Sequence, residues 1–332
     1  MSDYSLNPDL FSDKVVLDPI RAGFGRGLRA AGESNESIVA LCADLTDSTQ
    51  MNLFRDAFPK RFIEVGVAEQ NLVTVAAGMA RAGKIPFTSS YAAFSPGRNW
   101  EQIRTTAALN NQPVKIIGSH AGLYTGKDGA THQMLEDIAL MRVLPNMVVI
   151  APGDSIEAEK ATRAIAENGK PSYLRLAREK TPVFSTDTSP FEIGKAYVLR
   201  AGTDVSLMGT GTMTYQLLAA ANILGDNGIN AEVVHIPTIK PLDEQTVLTS
   251  ARKTGRVVTA EEAQINGGFG GAVAELLSEQ LPTPLRRIGM PDHFGESGNP
   301  PELLDKFGMT AEKIAESVKD FVHNTSQYHR EY

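Results

Sequence analysis

Short apolar segments alternate with helix-like segments along nearly the whole of this 332-residue chain. In the first half, the strand-like segments cover residues 37–41, 62–65, 85–88, 114–118 and 147–150. The helical patterns between them cover residues 18–31, 70–81, 99–109 and 155–167. The sequence Pro-Gly-Asp precedes the last of these, and Asp154 is placed to cap that helix. Strands that are apolar along their whole length are typical of a parallel sheet that helices cover on both faces. The pattern therefore predicts an α/β fold with mostly parallel sheets.

A break in this alternation predicts where one domain ends and the next begins. Residues 181–190 read Thr-Pro-Val-Phe-Ser-Thr-Asp-Thr-Ser-Pro, a run without periodicity that is typical of interdomain linkers. Strand and helix patterns resume after it, and the chain is long enough for two domains. We expect a first domain at residues 14–182, a linker at 183–192 and a smaller second α/β domain at 193–322.

The charge balance and the cysteine content argue against several classes of function. The net charge is −7 and the sequence pI is about 5.5, whereas phosphate backbones and anionic membrane surfaces require a basic face. Cys42 is the only cysteine, so no intramolecular disulfide forms, which suits a reducing compartment. The first residues lack the features of a signal peptide. We therefore expect a cytoplasmic protein with neither nucleic-acid nor membrane partners.

One carboxylate, Glu69, follows an apolar strand-like segment and begins a helical pattern, in the run Glu-Val-Gly-Val-Ala-Glu-Gln-Asn at residues 64–71. Apolar neighbours solvate a carboxylate poorly and favour its protonated form. A carboxyl group in such a setting can transfer a proton at working pH. The alternative is a helix-start carboxylate that only offsets the helix dipole. This stretch alone leaves both interpretations open.

A polar, glycine-rich loop at residues 119–133 follows the strand-like segment 114–118. Such loops lie at the carboxyl ends of parallel strands, where ligands bind. The loop contains His120, Asp128 and His132. These residue types suit either a metal ion or a hydroxylated substrate. Metal ligands usually lie closer together in sequence or include cysteines, so recognition of a hydroxylated substrate fits better, and we expect no metal ligands in this chain.

Other side chains at predicted strand and helix ends have both a functional and a structural interpretation. Tyr91 and Phe94 follow a strand-like segment; their rings either stack on a flat heterocycle or pack in the core. Arg21 and Arg178 lie near a helix start and a strand end; each either binds a phosphate or carboxylate group or is an exposed charge. The turn at residues 209–212 follows a strand, and a structural role is favoured over anion binding.

Four segments, taken together and in order, resemble the transketolase family of thiamine-diphosphate enzymes. They are Ala-Asp-Leu-Thr-Asp-Ser at 43–48, the run at 64–71, Gly-Lys-Asp-Gly-Ala-Thr-His-Gln at 126–133 and Pro-Ser-Tyr-Leu-Arg-Leu-Ala-Arg at 171–178. The resemblance extends from about residue 18 to residue 318. It covers the second and third domains of the family, the pyrimidine-binding domain and the C-terminal domain, without the first.

The resemblance implies a role for each residue on the cofactor side. Glu69 would bond the aminopyrimidine ring of thiamine diphosphate and help it adopt the imino form, which fits the poorly solvated carboxyl group inferred above. Phe94 would stack on the pyrimidine, with Tyr91 nearby. Asp44 and Leu45 would border the cofactor. Glu69 and His132 are the residues to which the resemblance gives catalytic roles.

On the substrate side, the resemblance implies two groups of residues. Asp128 and His132 would bond the hydroxyl groups of the sugar. The terminal phosphate of the substrate would be held by a second group, which comprises Arg21, Ser48, His120 and Arg178.

Two departures from the family pattern stand out. The family often has Asp-Ser after the histidine matched by His120, whereas this chain has Ala121 and Gly122. The Gly-Asp-Gly segment of the family's diphosphate- and magnesium-binding domain is absent from the sequence. The resemblance therefore implies that a separate N-terminal transketolase subunit ligates Mg²⁺, in an α2β2 assembly. Together the subunits would transfer a two-carbon ketol unit from a ketose phosphate to an aldose phosphate.

Three alternatives share the predicted fold. The first is the β subunit of the first component (E1) of a 2-oxo-acid dehydrogenase, which has similar length and the same two-domain plan. The second is an activity like that of deoxyxylulose-phosphate synthase, a family that normally keeps all three domains in one chain. The third is a non-catalytic binding subunit, since a fold alone does not imply an activity.

Overall fold

The computed structural model describes residues 4–328 of the chain, and two sheets with their helices organise them. The strands are β1 (Leu17–Pro19), β2 (Ile38–Cys42), β3 (Phe62–Glu64), β4 (Ile85–Tyr91), β5 (Lys115–Ser119), β6 (Val148–Ile150), β7 (Ser172–Arg175), β8 (Lys180–Pro182), β9 (Tyr197–Arg200), β10 (Val205–Gly209), β11 (Ala231–His235), β12 (Thr238–Lys240), β13 (Val257–Gln264) and β14 (Leu285–Met290).

The helices lie between these strands for most of the chain. They are α1 (Ile20–Ser34), α2 (Asn52–Ala57), α3 (Glu69–Arg81), α4 (Trp100–Gln102), α5 (Asp137–Arg142), α6 (Ser155–Glu167), α7 (Met213–Asp226), α8 (Glu244–Thr254), α9 (Phe269–Gln280), α10 (Pro300–Lys306) and α11 (Ala311–Tyr328). Two short 3-10 segments lie at Pro59–Arg61 and Leu123–Asp128, and a π-helical segment, Ile103–Ala108, continues α4.

The first domain is built on a seven-stranded sheet and the second on a five-stranded sheet. The seven-stranded sheet has the order β12-β6-β7-β5-β4-β2-β3, and the five-stranded sheet has the order β14-β13-β10-β11-β9. Neighbouring strands in these two sheets are parallel except at one edge of each, where β12 and β9 run antiparallel to their partners. The strands β1 and β8 form a separate antiparallel pair. Every residue of β2, β5, β10 and β11 is buried. The predicted fold class, two α/β domains with mostly parallel sheets, is therefore confirmed.

Several elements differ from the predicted ones. The strand β12 comes from the second domain yet pairs with β6 of the first, and three residues are too few to produce a periodic signal. The segment 99–109 is helical, as predicted, but most of it is a π-helix. The helix α11 runs to Tyr328, beyond the predicted domain end at 322. The buried side chains of Val318 and Phe321 anchor its middle turns.

The predicted linker is tied closely to the first domain by one buried side chain, Asp154. Its carboxylate caps α6 by accepting the Glu157 N–H at 2.9 Å. It also accepts the N–H groups of Phe184 and Ser185, at 2.9 and 2.7 Å, and the Ser185 hydroxyl at 2.8 Å. The cap was predicted from the Pro-Gly-Asp sequence, whereas the bonds to the linker depend on the tertiary fold.

The two domains also meet through buried polar contacts. The His235 Nε2 lies 2.7 Å from Glu157 Oε2, and both side chains are buried. Arg175 of the first domain donates from Nη2 to the backbone oxygen of Glu262 in the second at 2.7 Å. Buried polar groups need such partners because water cannot replace them. Within residues 4–328, no helix has the length and apolar character needed to cross a membrane.

We predict that Asp154→Ala lowers the free energy of unfolding by about 3 kcal/mol, because it removes a helix cap and leaves buried N–H groups without acceptors. The matched control is Asp243→Ala. Asp243 also caps a helix, by accepting the Thr246 N–H, but it is only half-buried, so about 1 kcal/mol is expected. Urea denaturation of both variants measures the difference, and equal losses would contradict the role assigned to Asp154.

Candidate active site

Three neighbouring parallel strands, β4, β5 and β7, bring distant residues together at one edge of the first sheet. The register pairs Tyr91, the last residue of β4, with Ser119, the last residue of β5. The next residue, His120, therefore lies beside Tyr91. Their rings stack with centroids 3.8 Å apart and an interplanar angle of 22°. This edge is where ligands bind in parallel α/β sheets.

Four rings form a continuous group at this edge, which we call the ring cluster: Tyr91, Phe94, His120 and His132. The His132 ring meets the Phe94 ring edge-on, with centroids 5.4 Å apart, and the Tyr91 ring at 6.1 Å. The Tyr91 and Phe94 rings lie 6.0 Å apart at an angle of 19°. His132 is half-buried, whereas His120 is buried. The structure thus brings together four residues that the sequence analysis selected.

Glu69 lies at the start of α3, next to the ring cluster. Its side chain is buried, with 2% relative exposure, and its Oε2 accepts a hydrogen bond from Arg98 Nη1 at 2.8 Å. The guanidinium carbon of Arg98 also lies 4.7 Å from the centroid of the Phe94 ring. Asn99 Nδ2 donates to the Glu69 backbone oxygen at 2.8 Å, which fixes the helix start. The burial agrees with expectation, but the neighbour of the carboxylate is a cation rather than an apolar surface.

Two arginines, Arg21 and Arg178, lie near His120 of the ring cluster and donate hydrogen bonds to backbone oxygens there. Arg21 Nε donates to the Arg178 backbone oxygen at 3.1 Å, and its Nη1 donates to the Ser48 backbone oxygen at 2.5 Å. Arg178 Nη1 donates to the Thr125 backbone oxygen at 3.0 Å and lies 3.3 Å from Asp128 Oδ1. Four of the residues predicted to contact substrate therefore contact one another.

The pKa of His120 is lowered to about 2, chiefly because the ring is buried. Electrostatic repulsion from the neighbouring Arg21, Arg178 and His132 lowers it further. The imidazole is therefore neutral at any pH near 7, and one ring nitrogen, Nδ1, lies 2.9 Å from the Ser119 hydroxyl. Burial, and then Arg178, lower the pKa of Arg21 from its ordinary value. Arg21 and Arg178 thus supply permanent cations beside the neutral, hydrogen-bonding ring of His120, and this combination suits an anionic ligand.

Asp44 and Leu45 lie at the carboxyl end of β2, at the same edge of the sheet. Asp44 has a left-handed backbone with φ of 59°, and its N–H donates to Glu64 Oε1 at 2.8 Å. Glu64 also accepts the Thr46 hydroxyl at 3.1 Å and the Gly66 N–H at 2.8 Å. Leu45 is half-buried and packs against the core. Glu64 therefore holds the loop that carries Asp44.

Sequence reasoning assigned no role to Glu64, Arg98 or Glu262, although all three contact the site or its loops. Glu64 lies in the same short run as Glu69, so the sequence offered a signal for it. Arg98 is 29 residues from Glu69, and Glu262 is 138 residues from the loop residue Tyr124 that it contacts. Within residues 4–328, no group of three or more His, Cys, Asp or Glu side chains is placed to hold a metal ion.

Comparison with known proteins agrees with this arrangement. The family model "Transketolase, pyrimidine binding domain" matches residues 19–183, and the model "Transketolase, C-terminal domain" matches residues 194–314. The chain belongs to the transketolase family. The resemblance seen in the four sequence segments is thereby confirmed.

Three relatives match this transketolase-family chain over most of their own length. It is 45% identical to a "Putative transketolase C-terminal section" of Methanocaldococcus jannaschii, over 92% of this chain and 96% of the relative. It is 43% identical to a "6-deoxy-6-sulfo-D-fructose transketolase subunit" of Clostridium sp. (strain MSTE9), over 87% and 89%. A solved structure described as "Split gene transketolase, inactive beta4 tetramer" is 44% identical and has a TM-score of 0.86, and the match covers 92% of this chain and 98% of that structure's chain.

The low pKa of His120 makes the stability of this transketolase-family chain depend on pH. The unfolded chain takes up a proton at this residue as the pH falls below about 6.5, whereas the folded chain does not. The contribution of the neutral His120 ring to the free energy of unfolding is therefore complete above that pH and is lost progressively as the pH falls toward 2. We predict that, between pH 7 and pH 5, the wild-type chain loses about 2 kcal/mol more stability than His120→Asn.

Asparagine is the chosen replacement because His120 has φ of 56°, and asparagine tolerates the left-handed region without titrating. Urea denaturation of both chains at the two pH values measures the difference. Equal losses in the two chains would show that His120 is not held neutral by the fold.

Proposed function

We propose that this chain is the C-terminal subunit of a split, thiamine-diphosphate-dependent transketolase. With a separate N-terminal subunit it transfers a two-carbon ketol unit from a ketose phosphate to an aldose phosphate. The observation that carries the proposal is the meeting, at one sheet edge, of a buried carboxylate beside aromatic rings with a group of arginines. The family membership and the near-complete overlap with a C-terminal section support the same conclusion.

The residues beside Glu69 fit the pyrimidine end of thiamine diphosphate. The guanidinium of Arg98, itself a flat nitrogen-bearing group, bonds Glu69 and covers the ring of Phe94 at the same time. A carboxylate and an aromatic face in this relation suit a flat nitrogen heterocycle, which Glu69 would hydrogen-bond and Phe94 would stack on. When bound, the cofactor supplies the carbon nucleophile for cleavage of a bond next to a carbonyl.

Glu69 is the residue suited to proton transfer at the pyrimidine end of the cofactor, because it is the buried carboxylate at the ring cluster. Its position at the start of α3 is fixed by the bond from Asn99 to its backbone oxygen. We propose that Glu69 holds and transfers a proton at the ring nitrogen of the pyrimidine. Tyr91 and the loop of Asp44 and Leu45 would border the cofactor.

The other residues suit an anionic sugar. Arg21 and Arg178 supply permanent charge for a terminal phosphate, and neutral His120 supplies a hydrogen bond, with Ser48 at the same end. Asp128 and His132 would bond the sugar hydroxyls, and His132 would also assist proton movement at the reacting carbons. A relative is named for a sulfonated fructose, which carries an anion in the place of a phosphate and is consistent with a cationic binding group.

The diphosphate and Mg²⁺ would be held by the partner subunit, since the Gly-Asp-Gly segment of the family is absent from this sequence. A relative described as an inactive β4 tetramer supports dependence on a second subunit. We propose an α2β2 assembly. The single cysteine, Cys42, is buried and free, which is consistent with a reducing, cytoplasmic setting.

The central test mixes this chain with candidate N-terminal subunits and assays ketol transfer between pentose phosphates with added thiamine diphosphate and Mg²⁺. Transfer only in the mixture is expected, and turnover by this chain alone would contradict the proposed need for a second subunit.

The same assay distinguishes the alternatives. Turnover of 2-oxo acids with a lipoyl acceptor, and none with sugar phosphates, would replace the proposal with a 2-oxo-acid dehydrogenase subunit. Condensation of pyruvate with a triose phosphate would replace it with deoxyxylulose-phosphate synthesis. Absence of cofactor binding in every mixture would support a non-catalytic subunit.

We predict that Glu69→Gln lowers kcat about a thousandfold in the assembled enzyme, because an amide cannot exchange the proton that a carboxyl group transfers. The matched control is Glu101→Gln, which changes an exposed carboxylate on α4 and is expected to leave kcat unchanged. Steady-state kinetics with saturating cofactor measures both. A Glu69→Gln enzyme with more than a tenth of wild-type kcat would contradict the proton-transfer role.

We predict that Arg178→Met raises KM for a phosphorylated ketose by about tenfold or more, because it removes a charge-assisted contact. KM for the unphosphorylated sugar should stay unchanged. Arg163→Met is the control, since Arg163 is an exposed arginine on α6. Equal KM changes for the two sugars would show that Arg178 does not bind the anion. A sulfonated ketose in parallel tests whether the group prefers phosphate or sulfonate.

A further inference from the structure

The polar loop at residues 119–133, called here the substrate loop, is held in place by the second domain. Glu262 Oε1 accepts the backbone N–H of Tyr124 at 2.6 Å, in a buried position. Farther along the loop, Ser297 Oγ donates to the Lys127 backbone oxygen at 2.6 Å, and Gln133 Nε2 donates to the Glu296 backbone oxygen at 2.8 Å. The first of these contacts is the most deeply buried and involves a charged group.

Glu262 itself is rigidly positioned. It lies within β13 and is 2% exposed. Its second carboxylate oxygen, Oε2, accepts the Thr212 hydroxyl at 2.5 Å, and its backbone oxygen accepts Arg175 Nη2 at 2.7 Å. Burial raises the pKa of Glu262, while Arg175 and the two hydrogen-bond donors oppose that shift. Both oxygens are thus engaged, one toward its own domain and one toward the substrate loop.

The residue after Tyr124, Thr125, links this contact to Arg178 and His120, two of the residues proposed to bind the anion. The Thr125 backbone oxygen accepts Arg178 Nη1 at 3.0 Å, and the Thr125 hydroxyl donates to the His120 backbone oxygen at 2.6 Å. A shift of the backbone at Tyr124 would therefore move the partners of both Arg178 and His120. Neither of those residues contacts Glu262 directly in these hydrogen bonds, so the effect is relayed through the loop backbone.

Gly122 shows that the loop is shaped around Glu262. Its φ is +73°, and a Cβ at this position would lie 2.4 Å from Glu262 Oε1 and 2.9 Å from Arg175 Nη2. Any larger residue would displace the carboxylate from the Tyr124 N–H. At Gly122, the departure from the family pattern thus has a physical reason in this chain, because the smallest residue leaves space for the carboxylate.

We propose that Glu262 is a positioning residue for the anion-binding end of the active site, acting through its hydrogen bond to the Tyr124 backbone. The proposal rests on the proposed function for its kinetic consequence, since the anion in question is the terminal phosphate of the sugar. It places a determinant of phosphate affinity in the second domain, which contributes no ring to the ring cluster.

The test compares two substitutions of nearly equal volume. Glu262→Gln retains an acceptor for the Tyr124 N–H and can donate to Thr212, whereas Glu262→Met fills the same space without an acceptor. In the assembled enzyme, Glu262→Met is expected to raise KM for a ketose phosphate about tenfold. Its kcat should stay within about threefold of wild type, since the reacting groups are untouched. KM for the unphosphorylated sugar should not change, and Glu262→Gln should resemble wild type.

A second measurement does not depend on activity. Amide hydrogen exchange of the peptide covering residues 122–128 is expected to be about tenfold faster in Glu262→Met than in Glu262→Gln, because the Tyr124 N–H loses its acceptor. Glu275→Ala is the matched control. It also removes a carboxylate that contacts the first domain, through Arg142, but it does not touch the substrate loop, so exchange and KM should stay at wild-type values.

The outcomes separate this inference from the proposed function. Unchanged exchange in Glu262→Met, or equal KM increases for phosphorylated and unphosphorylated sugars, would overturn the positioning role. A wild-type assembly without ketol transfer would overturn the proposed function, and the exchange measurement alone would then decide the role of Glu262. If Glu262→Met does not fold, Thr212→Val replaces it. A KM increase confined to the phosphorylated sugar supports the role, and an unchanged KM contradicts it.

Discussion

The parallel register of β4 with β5 and of β5 with β7 is the constraint on which the candidate site depends. It places Tyr91 opposite Ser119 and thereby stacks the next residue, His120, on the Tyr91 ring. A slip of one residue would turn every side chain of a strand to the opposite face and would separate the rings. The fully buried strand β5 resists such a slip, because the ammonium group of Lys115 would lose its hydrogen bonds to Asn168 Oδ1 and the Lys170 backbone oxygen, at 2.7 and 2.6 Å.

The sequence was sufficient for features that depend on local pattern. Continuous apolar runs predicted the parallel sheets, and Asp154 was placed correctly as the cap of α6. It was not sufficient for contacts made between distant segments. The pairing of Glu69 with Arg98, 29 residues away, depends on how the chain returns after β4. The three residues of β12 carry no periodicity, so their pairing with the first sheet could not be read from the pattern. The site residues came mainly from the family resemblance, since each alone also had a structural interpretation.

The anion-binding end of the site contains two arginines, and Arg178 there also lies 3.3 Å from an oxygen of Asp128 and 3.6 Å from an oxygen of Glu179. The net charge is −7, yet Arg21 and Arg178 lie together at the sheet edge. At physiological ionic strength, charges separated by more than about 8 Å are largely screened, so an anionic ligand responds mainly to the local arginines. His120 strengthens this arrangement because it stays neutral. A third cation in the same place would repel Arg21 and Arg178, whereas a neutral ring does not repel them and still offers a hydrogen bond.

The contact between Gly122 and Glu262 connects the domains more closely than their separate sheets indicate. The glycine leaves the space that the carboxylate oxygen occupies, and the carboxylate in turn accepts the N–H of Tyr124. A larger residue at 122 would displace the carboxylate, and a residue without an acceptor at 262 would leave a buried N–H unpaired, which is costly. The two positions are therefore coupled energetically, as contacting residues in one hydrogen-bond network generally are. An exchange of the second domain between relatives should preserve the shape of the substrate loop only when the residues at 122 and 262 are exchanged together.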